Sequence, residues 1–217
     1  MTDETVAVKE VAADSERSPP PVHSVIDGFI YTQYRDERDL GVVMDLVDNE
    51  LSEPYSIFTY RYFLNNWPTL CFLVHDGEHC FGTVVCKLDQ HKSRLRGYLA
   101  MLVVEKQCRS RGVGSYLVKL AIEEMIKNGA DEVTLEAEVT NKGALKLYEN
   151  LGFIRDKRLH KYYLSGTDAY RLKLLLPSKP VEHHSIHSIP EVEECGVELT
   201  EQTRVAAEEG APSTSRE

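Results

Sequence analysis

No apolar run in this 217-residue chain reaches the length of a membrane-spanning helix, and its N-terminus has no basic stretch followed by an apolar one. A soluble protein without a secretory signal is expected. Cysteine is sparse, with Cys71, Cys80, Cys86, Cys108 and Cys195 odd in number and no C-x-x-C pair among them. That pattern excludes a disulfide framework and predicts small buried thiols in a reducing compartment. Nor is there a surplus of basic charge. The net charge is −10, and it is unevenly spread: residues 1–28 hold six acids and two bases, residues 177–217 nine and three, leaving 20 of each between. The near-neutral middle excludes an overall nucleic-acid-binding body. His183, His184 and His187 have no cysteine or carboxylate at standard ligand spacing, so no metal site is expected.

What is present divides into three parts. Residues 1–28 are polar and carry Pro19, Pro20 and Pro21, which predicts a disordered leader. Residues 177–217 are rich in glutamate and proline, which predicts an acidic disordered tail. Between them, residues 29–176 have the apolar content of one domain. Period-two alternation predicts a strand at 29–34, and Leu40, Val43, Met44 and Val47 predict a helix over 38–50. A proline-broken loop at 51–55 leads to an aromatic-rich helix at 57–67, whose Tyr60, Tyr62 and Trp67, with Tyr55, suit either a peptide groove or a core. Strands at 70–75 and 80–88 flank the hairpin signal Asp76-Gly77-Glu78. Further on, helices are expected at 113–128 and from Asn141 to Gly152, with strands at 133–139, 153–164 and 170–176. Lys87, Lys92, Arg94 and Arg96 form a basic patch that suits an acidic partner or a solvated hairpin end.

The stretch 98–115 organises the rest. Leu102, Val103 and Val104 form an apolar run too short for a helix, followed by a polar turn ending in Gly112 and Gly114, and then by helical periodicity. Amides at such a helix start form a nest with the positive end of the helix dipole behind it, and Arg109 and Arg111 flank it. A tightly packed helix start and a phosphate site both fit. Lys-Ser/Thr does not follow the glycines, so this is not a Walker loop, and the dinucleotide fingerprint is absent too.

Two carboxylates stand close by in sequence logic. Glutamate is a poor strand former, yet Glu136 and Glu138 share one face of a predicted strand next to the central one. Either that face is open to solvent or it lines a cleft for a cation such as a protonated amine. Tyr148 follows Glu136 by 12 residues on the inner side of the next helix. It suits a core role, and it also suits an acid, since a phenol of pKa about 10 stays protonated at neutral pH.

Arg109-x-x-Gly112-x-Gly114 resembles the Arg/Gln-x-x-Gly-x-Gly/Ala signature of the GNAT superfamily of N-acetyltransferases. Asn141, Ala144, Tyr148, Gly152 and Phe153 resemble its second hallmark, Asn-x-x-Ala…Tyr…Gly-Phe. The resemblance covers residues 29–176 and implies a GNAT fold of the α/β class, with a mixed, mostly antiparallel central sheet flanked by helices. It implies acetyl-CoA as cosubstrate, its pyrophosphate on the loop of Arg109, Arg111, Gly112, Val113, Gly114 and Ser115. Leu102 and Val104 would pair by backbone with the pantetheine arm, Asn141 would lie near the cofactor, and Tyr148 near its sulfur.

Within the superfamily, residues 51–56, 98–102 and 160–169 resemble the catalytic subunits of NatC N-terminal acetyltransferases. That likeness implies acetylation of the α-amine of proteins that keep Met before Leu, Ile, Phe or Trp. It also implies a cytoplasmic, ribosome-associated complex with a large auxiliary scaffold subunit and a small Sm-like subunit. No membrane and no sequence-specific nucleic acid enters this picture. Leu51, Glu53, Pro54 and Tyr55 on one side and Tyr162 and Tyr163 on the other would clamp the peptide, with Glu136 as base, Tyr148 as acid and Tyr98 near the amine. Two other readings stay open: an acetyltransferase of other specificity, acting on lysine, polyamine or other N-termini, and a noncatalytic acetyl-CoA-binding scaffold. Closure of the groove by Tyr162 and Tyr163 disfavours an internal lysine.

Overall fold

The structure, a computed structural model, describes residues 22–177. The leader before Val22 and the tail after Pro177, with its histidines and Cys195, lie outside the described residues. The elements run β1 (Val22–Ile26), β2 (Phe29–Gln33), α1 (Glu37–Glu50), α2 (Ile57–Asn66), β3 (Phe72–Asp76), β4 (His79–His91) and β5 (Arg94–Val104). There follow α3 (Val113–Lys127), β6 (Glu132–Glu138), α4 (Lys142–Asn150), β7 (Ile154–Leu159) and β8 (Ala169–Leu175). Among the described residues the strands form one sheet in the order β1-β2-β3-β4-β5-β6-β8-β7. Every neighbouring pair is antiparallel except β5 and β6, at the centre. This is the mixed, mostly antiparallel sheet that was expected.

Local sequence accounts for the helices. Asp36 caps α1 by accepting from the Arg38 amide at 3.0 Å, and Ser56 caps α2 by accepting from the Thr59 amide at 3.3 Å. Leu40, Val43 and Val47 of α1 and Tyr60, Phe63 and Leu64 of α2 bury against one sheet face. Leu117, Leu120, Ala121 and Met125 of α3 and Leu145 and Tyr148 of α4 bury against the other. Alternation along the β3 region sorts Cys71 and Leu73 to the first face, Phe72 and Val74 to the second.

The two largest departures from the expected boundaries lie at the ends of the domain. Strand β1 falls inside the segment read as leader. Its Val22, Val25 and Ile26 are exposed, so no buried alternation marks it. Backbone pairing with β2 holds it, across a turn in which Asp27 and Gly28 both take positive φ (52° and 84°). At the other end, β7 stops at Leu159 instead of continuing to residue 164. Asp168 explains the stop: it accepts from Arg158 Nε and from the Lys161 amide, both at 2.8 Å, and turns the chain. Tyr162 and Tyr163 therefore sit in a connecting loop, not in a strand.

One irregularity positions everything that follows. Cys86 of β4 pairs with Leu99 and Val85 with Met101, so Ala100 is an extra residue on β5. Such a bulge bends its strand and strengthens the local twist. On its other side β5 pairs with β6 only from Arg96↔Glu132 to Tyr98↔Thr134. Beyond Tyr98 the two strands part, and the β6-facing backbone of β5 is left without a strand partner.

Candidate active site

The cofactor-side cavity lies where β5 gives way to α3. Gly112 occupies the N-cap of α3 at φ 80° and offers no side-chain cap, so the first amides of the helix keep their hydrogen-bonding capacity. A Cβ at Gly114 would come within 3.3 Å of Leu147 Cδ1, which shows how closely the start of α3 approaches α4. Gly112, Val113, Gly114 and Ser115 line a cavity of about 450 Å³ together with Leu102, Val104, Arg109, Asn141 and Tyr148. Asn141 is held there by its own helix, its Oδ1 accepting from the Ala144 amide at 3.0 Å. Arg109 is already engaged: its Nε donates to the Val104 carbonyl at 2.8 Å and its guanidinium meets Glu50 at 2.5 Å. Arg111 stands apart from this group, with its guanidinium 4.4 Å from the centre of the Phe29 ring.

The second cavity fills the gap between the parted strands. Its volume is about 320 Å³, and it takes Leu51, Glu53 and Tyr55 from the α1–α2 connection, Glu136 and Glu138 from β6, and Tyr163. Leu51, Leu102, Asn141, Ala144 and Tyr148 line both cavities, so the two meet at Tyr148. Pro54 is not among the lining residues of either. Tyr162 lies on the far side of Glu136, in a space of about 430 Å³ that Tyr98 and Arg171 also line. The two peptide-side loops are tied to each other, because Glu53 Oε1 accepts from the Leu164 amide at 3.1 Å.

Glu136 is the most enclosed acid here, its side chain 6% exposed. Oε2 accepts from the Tyr98 hydroxyl and Oε1 from Arg171 Nε, each at 2.8 Å. Glu138 instead accepts from the Thr140 hydroxyl at 3.2 Å. Burial pushes the Tyr148 hydroxyl well above its ordinary pKa, and burial followed by the charge of Glu136 does the same for Tyr98. Both phenols therefore stay protonated across the physiological range.

Residues 40–153 match the acetyltransferase (GNAT) family. The chain belongs to that family. It is 60% identical over 151 residues to N-alpha-acetyltransferase MAK3 of Arabidopsis thaliana, covering 70% of this chain and 80% of that one. To N-alpha-acetyltransferase 30 of Xenopus laevis it is 58% identical, over 69% of this chain and 55% of the relative. It thus spans about half the length of the frog relative, but with the Saccharomyces cerevisiae N-alpha-acetyltransferase 30, 46% identical, it covers 86%. Among solved structures, the NatC complex bound to Gag peptide and CoA holds a chain that superposes with a TM-score of 0.67 at 44% identity, covering 69% of this chain and 99% of that one.

Sequence reasoning missed two side chains of this GNAT site. Arg171 is the antiparallel partner of Glu136 in the β6–β8 register, and Glu50 lines both cavities while it holds Arg109. Periodicity shows neither contact. Opposite charges facing each other across a predicted strand pair would have been the signal for Arg171. The aromatic residues of α2 divide: Tyr60 is core, its hydroxyl donating to Asp48 at 2.6 Å, while Tyr62 is exposed. The basic patch is largely spent on internal pairs, Lys87 with Asp89 and both Arg94 and Arg96 with Glu132.

Proposed function

We propose that this GNAT protein moves the acetyl group of acetyl-CoA to the α-amine of proteins that keep Met before Leu, Ile, Phe or Trp, by direct attack. One observation carries the reading: a cavity lined by the uncapped start of α3 and a cavity lined by Glu136 join at Tyr148. The first suits a pyrophosphate and a peptide-like arm, since glycine backbone, unpaired amides and the unpartnered edge of β5 all border it. Acetyl-CoA supplies the thioester. Glu136 takes the proton that the α-ammonium sheds before its amine attacks, directly or through one water, and Tyr148 hydrogen-bonds the leaving sulfur and passes it a proton, which the nitrogen's second proton replaces. Leu51, Glu53, Tyr55 and Tyr163 border the acceptor side, and the Glu53–Leu164 bond ties the two loops beside it together.

The likeness to N-alpha-acetyltransferase 30 proteins and to the NatC complex supports the choice of α-amine acceptor. We extend the proposal to assembly with a large scaffold subunit and a small Sm-like subunit at cytoplasmic ribosomes, as the resemblance of residues 51–56, 98–102 and 160–169 implies. The test is acetyl transfer to a peptide panel, by the chain alone and copurified with its large subunit. Met-Leu and Met-Ile peptides are expected to outpace Met-Asp and Ser-starting ones. Transfer to a blocked peptide with an internal lysine, at a comparable rate, would move the protein to the lysine class.

Arg109→Ala is expected to weaken acetyl-CoA binding by about tenfold, near the lower end of what one hydrogen bond to a charged group contributes. Part of that contact must first be withdrawn from Glu50, which keeps the effect moderate. Titration calorimetry reads it, and an unaltered dissociation constant would remove the phosphate role.

A further inference from the structure

Arg171 answers the charge of Glu136 before any substrate does. It stands directly opposite in the β6–β8 register, 37% exposed, with Nε 2.8 Å from Oε1 of a carboxylate that is nearly out of reach of water. The neighbouring cations each have another acid. Lys87 of β4 pairs with Asp89 at 2.7 Å, Arg96 of β5 with Glu132 at 2.6 Å, and Lys173 of β8 with Asp156 at 3.5 Å. His91 of β4 lies in the same space, pushed down from its ordinary pKa, first by loss of water and then by Arg96 and Lys92. From the loops come Tyr162 and Tyr163, from the α1–α2 connection Tyr55 and Glu53, and from β6 Glu138, bound to Thr140. Arg171 is thus the cation that meets Glu136.

An α-amine has a pKa of about 8, so at pH 7 it arrives mostly as ammonium, which has no lone pair to attack with. A buried carboxylate lacking a counter-ion would hold that ammonium as a charge-assisted pair and stabilise the unreactive form. A guanidinium on the same carboxylate reverses the preference, because a nearby like charge disfavours the protonated amine. We propose that Arg171 is a positioning residue that, through its ion pair with Glu136, makes the site select the neutral α-amine. One proton leaves the ammonium for Glu136 or solvent, the freed lone pair forms the C–N bond as the C–S bond breaks, and the nitrogen's second proton ends on the departing sulfur by way of Tyr148. This deepens the proposed function and rests on it.

The test compares the full-length wild type, Arg171→Gln and Arg171→Lys, each in its complex, measuring kcat/KM for a Met-Leu peptide from pH 6 to 9.5. For Arg171→Gln the acid limb is expected to move up by about one pH unit, the scale of losing one adjacent charge. Activity would then fall about tenfold at pH 6.5 and converge with wild type above pH 9, while Arg171→Lys keeps the wild-type limb. A uniform loss at every pH, with the limb unmoved, would overturn the proposal and leave Arg171 a merely structural residue. Wild-type protein gives a second reading that needs no variant. With CoA bound, the Met-Leu peptide should bind more weakly at pH 6 than at pH 9, while its des-amino counterpart should bind equally at both. Equal or tighter binding of the amine at pH 6 overturns the proposal. A wild type that acetylates no α-amine at any pH overturns the proposed function and this inference together, whereas α-amine transfer with identical pH limbs overturns the inference alone.

Discussion

Tyr148→Phe is expected to lower the turnover of Met-Leu peptide by at least about tenfold, and by as much as the roughly 10²- to 10⁴-fold that a positioned general acid typically contributes, with acetyl-CoA affinity nearly intact. The ring is core, packed edge-on to Phe153 with centroids 5.7 Å apart, and phenylalanine keeps that packing. Only the hydroxyl is lost, at the point where both cavities meet. Because burial raises its pKa, the wild-type hydroxyl stays protonated through neutral and mildly alkaline pH, so the defect should persist across that range. Glu136→Gln is expected to cost at least about as much through a different step, since the amide cannot take the amine's proton. It also leaves Arg171 without its acid, so its KM for peptide should change where that of Tyr148→Phe does not. Single-turnover measurements with saturating acetyl-CoA separate the two. Unchanged turnover in both variants would remove the mechanism, whereas acetyl-CoA binding without transfer by the wild type would favour a noncatalytic role.

The parts of this site that were legible in the sequence are those built from residues near one another along the chain. Arg109, Gly112 and Gly114 occupy one loop, and Asn141 through Phe153 one helix with its turn, so their spacing carries the geometry. Glu136 and Glu138 announced themselves because two glutamates are out of place in a strand. Contacts set by register were not legible. Arg171 reaches Glu136 because β8, not β7, lies beside β6, and no periodicity within either strand states that order. Glu50 reaches Arg109 from the end of a helix 59 residues earlier. The gap itself depends on one extra residue, Ala100, whose placement follows from pairing with β4 and not from its own chemistry. Strand β1 was hidden because exposed apolar residues beside a polar leader carry no alternation, although its Asp27-Gly28 turn was there to be read.

Glu132→Ala is expected to destabilise the folded domain by about 3 kcal/mol, the lower end of what breaking a buried ion pair costs. Glu132 is 1% exposed and holds Arg96 at 2.6 Å and Arg94 at 3.0 Å. Arg94 is half-exposed, so solvent replaces much of its share, whereas Arg96 is mostly covered and would keep an unanswered charge. The pair sits where it matters for function, since Arg96↔Glu132 is the first of only three registers joining β5 to β6 below the gap. Burial by itself would raise the pKa of Glu132, but hydrogen bonds from Arg96 and then Arg94 overrule it and hold the carboxyl below its ordinary value. A lowered carboxylate contributes stability that is complete above its unfolded value, about 4.5, and lost as pH falls through the folded one. Urea unfolding should therefore show the full gap between wild type and variant at pH 7 and at pH 5.5, and a smaller one near pH 3. Glu132→Gln, which keeps the shape and an acceptor, should lose less than Glu132→Ala at pH 7. A gap that does not narrow in acid would mean that Glu132 contributes packing alone, and that the parting of β5 and β6 rests on the Ala100 bulge without an electrostatic pin beneath it.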